Sequence, residues 1–135
     1  METFAEVRQH ILTNHKLFID EPFQLAFDCP MDGGERKQAV YIAELKASDN
    51  RRYLRVETLI CPLADFDAEK CLRINHIQRV GYLAVGDLDG TAYIKFCENM
   101  PYRTLNGDEL DYVIGQIAPL ADRFEEILEG DSDIS

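Results

Sequence analysis

Apolar residues in this chain change their spacing several times, and each change marks a new element. Phe4, Val7, Ile11 and Leu12 recur at helical steps, which predicts an amphipathic helix from Glu2 to about Asn14. Thr3 with Glu6 three residues on is a capping-box pair. Lys16 to Asp20 reads as an extended connector. From Pro22 the period falls to two. Phe23, Leu25, Phe27 and Cys29 alternate with Gln24, Ala26 and Asp28, as in a strand, and Pro30 with Asp32-Gly33-Gly34 ends it in a turn. Gln38 to Ala47 forms a second strand and Arg52 to Pro62 a third, with Leu54, Val56, Thr58 and Ile60 on one face of the third. Short connections between them predict an antiparallel meander.

Asp65 or Asp67 can cap a middle helix running to about Gln78. Its apolar residues, Ala68, Cys71, Leu72, Ile74 and Ile77, surround more of the helix than one stripe, which predicts burial on two sides, for instance against the sheet and against another subunit. Gly81 to Asp87 and Thr91 to Cys97 read as a hairpin with Asp89-Gly90 at its tip. Leu83 and Val85 on one strand, with Ala92, Ile94 and Phe96 on the other, are its inward candidates. Asn106 with Glu109 caps a last helix whose apolar face runs from Leu110 to Leu128 and which ends at Gly130. Pro119 lies inside it, and its ring predicts a bend near Gly115. The resulting order, α-β-β-β-α-β-β-α, predicts an α+β fold: a single antiparallel sheet flanked by helices, one domain over residues 1–130. Residues 131–135 are expected to be a disordered tail.

The 135 residues can bury one core, and 46% of them are hydrophobic. Charge narrows the partners. Lys and Arg total 14 against 25 Asp and Glu, a formal net charge of −11. Phosphate backbones repel such a surface, so no nucleic-acid or anionic-membrane binding is expected. The basic residues Arg51, Arg52, Arg55, Lys70, Arg73 and Arg79 read as a solvated strand edge and helix face. No apolar run reaches membrane-spanning length, and the first residues lack the layout of a signal peptide, so a cytoplasmic location is the expectation.

Recognisable chemistry is absent from the pattern. There is no nucleophile elbow, phosphate-binding glycine loop or zinc helix motif. Cys29, Cys61, Cys71 and Cys97 lack C-x-x-C spacing, and His10, His15 and His76 are scattered among them. Asp87-Leu88-Asp89-Gly90 imitates the start of a calcium loop, but the sixth position is Ala92 where that loop needs glycine. A small metal or thiol protein built on Cys61, Cys71 or His76 stays as an alternative that only geometry can address.

The stretch from Leu72 to Val85, then Asp89-Gly90, then a strand and a long final helix, resembles the YbjN family. Leu72, Asn75, Gly81, Asp89 and Gly90 carry the resemblance, and Arg52-Tyr53-Leu54-Arg55-Val56 is similar to that family's third strand. It extends over residues 3–128. The family is itself similar in fold to the class I chaperones of type III secretion. That likeness implies a homodimer that keeps a segment of a partner protein extended along apolar grooves, without catalytic residues or cofactor. It also implies a dimer or partner contact through the middle helix and following strand: Cys71, Leu72, Ile74, Asn75, Ile77, Leu83 and Val85. The other reading left open is a bacterial regulatory or stress-related protein of the same fold that has no client.

Overall fold

A computed structural model describes residues 1–63 and 67–129. Helix α1 spans Phe4–Leu12. It starts where expected, because the Thr3 side chain accepts a hydrogen bond from the Glu6 amide at 3.2 Å. Four strands follow: β1 at Leu17–Glu21, β2 at Gln24–Met31, β3 at Arg36–Lys46 and β4 at Arg52–Pro62. Helix α2 spans Ala68–Ile77, β5 and β6 span Tyr82–Leu88 and Thr91–Pro101, and helix α3 spans Gly107–Glu129. Short 3₁₀ turns at Asp32–Gly34 and Tyr102–Thr104 complete the order.

The α+β class holds, but the expected order lacks one strand. Leu17–Glu21 is not a connector: it pairs antiparallel with β2. The order is therefore α-β-β-β-β-α-β-β-α. The six strands form one sheet in the order β1-β2-β3-β4-β6-β5, with every neighbouring pair antiparallel. Pro30 does not end the second strand either. It pairs with Lys37, and the turn begins two residues later.

One face of the sheet carries the core. Leu25 and Phe27 of β2, Val40 and Ile42 of β3, Leu54 and Val56 of β4, and Ile94 and Phe96 of β6 are buried there. Thr58 shares that face because its hydroxyl donates to the Ala39 carbonyl at 2.5 Å and accepts from Gln38 at 2.7 Å. The register shifts between Leu59 and Cys61, and both Ile60 and Cys61 are buried as a result. Helix α3 lies across β3, β4 and β6, burying Leu110, Val113, Ile114, Ile117, Ala121, Phe124 and Ile127. Asn106 caps it, accepting from the Glu109 amide at 2.9 Å. Helix α1 buries Phe4, Val7 and Ile11 in the same core and is tied to α3 by His10 and Asp111, 2.8 Å apart. Among the described residues, no helix packs on the opposite face of the sheet.

Of the two caps considered for α2, Asp67 is the one that bonds, accepting from the Lys70 amide at 3.2 Å. Asp65 lies outside the described residues, as do the Gly130 cap and the 131–135 tail.

Candidate functional site

Strand β5 ends the sheet, and α2 sits beside it rather than over it. Leu83 is buried on the core side of β5, and Ile74 is the α2 residue that enters the core. One side chain joins the two elements. The Asn75 amide oxygen accepts from the Leu83 N–H at 2.6 Å, and its nitrogen donates to the Leu83 carbonyl at 3.3 Å. The carboxamide thereby occupies the place that the next strand's peptide group would take.

That pair of bonds sets the phase of the edge. In an antiparallel ladder, residues alternate between bonding the neighbouring strand and facing away from it. Leu83 faces away from β6, towards Asn75. Val85 and Asp87, two and four residues on, therefore also point their N–H and C=O groups outward. Asn75 covers the first step of the edge and leaves these two open.

Between α2 and β5 lies an apolar hollow of about 250 Å³, lined by Ala68, Cys71, Leu72, Asn75, Leu83, Ala84, Val85 and Ile94. Around it, Leu72 is 68% exposed, Val85 54% and Ile77 53%. Large apolar side chains are thus left open beside a bare strand edge, where soluble folds ordinarily place charge or cover.

Of the seven residues expected at a contact, Cys71, Leu72, Asn75, Leu83 and Val85 line this one hollow. Ile77 is exposed on the same helix, and Ile74 points the other way, into the core. The expected burial of Val85 inside the hairpin is corrected: the sheet ends at β5, no further strand covers Val85, and it is exposed. Within one chain, α2 buries its sheet side through Ile74 and leaves Leu72 and Ile77 open on the side expected to meet another subunit. What pattern reading missed is the Asn75 clamp, since an asparagine's partner eight residues away leaves no trace in spacing.

Among the described residues, the cysteines and histidines do not gather into one cluster. Cys61 and Cys97 are buried, and Cys29 and Cys71 half-buried. Burial raises the thiol pKa of Cys29 and of Cys71, where Asp67 adds to the rise. Cys97 is pushed up to about 12 by burial first and then by the adjacent Glu57 carboxylate. Such thiols are poor nucleophiles near neutrality. His10 pairs with Asp111, His15 stacks on Phe27, and His76 is exposed on α2. Among the described residues no three His, Cys, Asp or Glu side chains cluster as metal ligands. Asp89 and Gly90 form a tight hairpin tip, both with positive φ, and the calcium-like spacing belongs to that turn. No helix of the described residues is long and apolar enough to cross a membrane.

The six basic residues of the middle of the chain do not form one strip. Arg55 bonds Asn99 on β6, Lys70 reaches the Ile127 carbonyl, Arg73 pairs with Glu69, and Arg79 bonds the Ile77 carbonyl. Arg51 and Arg52 lie at the start of β4.

The architecture is an α+β fold, one antiparallel sheet with helices packed on one face. It is similar to a chain in the solved structure of the HopA1–SchA chaperone–effector complex, with a TM-score of 0.61 and 14% sequence identity, covering 91% of this chain and 94% of that one. No protein-family profile matches the chain, and no curated protein does.

Proposed function

We propose that this chain is a non-enzymatic, chaperone-like protein-binding module of the cytoplasm, acting as a homodimer that captures an extended segment of a partner protein. The observation that carries the reading is the apolar hollow between α2 and β5, with Leu72, Ile77 and Val85 exposed around it and the Val85–Asp87 edge unpaired. A second copy fits this edge best. Two β5 strands related by a two-fold axis perpendicular to them pair antiparallel, and such a dimer would bring Leu72 and Val85 of each copy towards the other's hollow. The opposite edge, β1, with exposed Phe18 and nearby exposed Phe23, is then left for the partner's extended segment to add as a strand. The likeness to a chain of a chaperone–effector complex supports a protein as the partner.

Light scattering after size exclusion, in reducing buffer, tests the dimer. A mass near twice 15.5 kDa, together with concentration-dependent protection of the Val85 and Asp87 amides from hydrogen exchange, supports the reading. A strict monomer removes the composite surface and moves the chain to a regulatory role without a client.

A further inference from the structure

The arginines depart from what an acidic surface dictates. With 25 acidic residues for 14 basic ones, an arginine ordinarily finds a carboxylate, as Arg8 does in Asp20 and Arg73 in Glu69. Around the start of β4 three arginines gather at one cavity, two of them each with a carboxylate and the third, Arg103, with none among the described residues. A cavity of about 250 Å³ is lined by Arg51, Arg52, Tyr53, Pro101, Tyr102 and Arg103. Arg52 is the fixed member: it donates to the Glu2 carbonyl at 2.6 Å and to Glu44 at 3.4 Å, and lies 4.8 Å over the Tyr102 ring. Arg51 has only Asp49, 3.6 Å away and largely exposed. Arg103 makes no hydrogen bond or ion pair among the described residues. Tyr102 is buried, only 7% exposed, and its hydroxyl lies close enough to the Glu44 carboxylate for that carboxylate to raise its pKa.

We infer that this cavity is an oxyanion site that takes the phosphate group of a small phosphorylated molecule, with the ligand's organic part against Tyr53 and Pro101. Donors come from two walls: Arg51 and Arg52 from the strand start, and Arg103 from the 3₁₀ turn after β6. A tetrahedral phosphate can accept from both walls at once. A planar carboxylate is matched by the fork of a single guanidinium. The site is local, since the net charge of −11 repels anions elsewhere. It is separate from the α2–β5 hollow and shares no lining residue with it.

Isothermal titration of the full chain at low salt tests the inference, with phenyl phosphate, inorganic phosphate and succinate as probes. Saturable one-to-one binding of phenyl phosphate is expected, tighter than inorganic phosphate, with succinate weaker than either. Arg103→Gln and Arg51→Gln should each weaken it by about tenfold. Arg79→Gln, on the link after α2, should leave it unchanged. Arg103 has no side-chain partner among the described residues, so its loss should leave the chain folded, which circular dichroism verifies. Absence of saturable phosphate binding, equal affinity in all three variants, or succinate binding as tightly as phenyl phosphate overturns the assignment.

Discussion

Asn75 closes both backbone groups of Leu83 with one side chain, at 2.6 Å and 3.3 Å. A sheet edge is a template for pairing, and this clamp confines the template to Val85 and Asp87. Asn75 therefore has a physical role, because its amide supplies a donor and an acceptor where a neighbouring strand is missing.

Replacing Asn75 by Ala leaves Leu83 N–H and C=O without partners in a half-buried place. Loss of the two bonds should destabilise the fold by about 1–3 kcal/mol, read as a lower urea midpoint at unchanged slope. Asn75→Asp keeps the acceptor for Leu83 N–H but sets a carboxylate oxygen against the Leu83 carbonyl, so it should fare no better. A midpoint unmoved in both variants would show that water replaces the clamp without loss.

Leu72 is the most exposed of the hollow's large apolar residues, at 68%, and Leu72→Glu removes nothing from the core. Its unfolding midpoint at low protein concentration should stay within about 0.5 kcal/mol of the parent. Its solution mass, however, should fall to that of the monomer, because the charge must be desolvated in the dimer. A dimer that survives Leu72→Glu places the contact elsewhere.

The parts of this molecule that patterning revealed are those where a face is buried. Leu54, Val56, Thr58 and Ile60 alternate along β4 as expected because a helix covers that face. The face of α3 was legible for the same reason. Strand β1 escaped because it is five residues long, irregular in register between Leu17 and Ile19, and without a fully buried residue. Val85 misled because alternation gives the side of the sheet but not whether anything packs on it. Arg103 entered no pattern, since residues 51, 52 and 103 meet only once β4 and β6 pair.

Gly81 and Gly90 both have positive φ, +87 and +80, but only Gly81 is enclosed. A Cβ there would lie 2.3 Å from Phe96 Cζ, whereas nothing lies within 4 Å at Gly90. Gly90→Ala should cost about 1–2 kcal/mol, the backbone strain alone. Gly81→Ala must also displace a fully buried ring, adding about 1–3 kcal/mol. Chemical denaturation of the two variants separates strain from clash, and equal losses would contradict the packing of Phe96 beneath Gly81.

Cys97 gives the fold an alkaline limit. Its thiol ionises near 9.0 when unperturbed and at about 12 in the folded chain, where burial and Glu57 oppose the thiolate. Between those values the unfolded chain has released the proton and the folded chain has not. The unfolded state is favoured, and stability falls as pH rises from 9 towards 12. Tyr102, raised by burial and by Glu44, acts in the same direction at higher pH. Cys97→Ser removes the thiol's share. Thermal melts at pH 8 and pH 10 should show a smaller drop for Cys97→Ser than for the parent, and parallel drops would assign the alkaline loss to other groups.

Pro119 interrupts the longest helix at an exposed position between buried Ala118 and half-buried Leu120. Proline has no N–H to give to the Gly115 carbonyl, and its ring crowds that carbonyl. Both effects cost stability. Pro119→Ala restores the donor and a strong helix former, so it should stabilise the protein by about 1–3 kcal/mol and raise its melting temperature. If instead the substitution lowers stability, the proline sets a bend on which the packing of Ile117, Ala121 and Phe124 against the sheet depends. Straightening the helix would then pull those side chains from the core, and the loss would shrink in a Pro119→Gly variant, which restores the N–H while leaving the backbone free to bend.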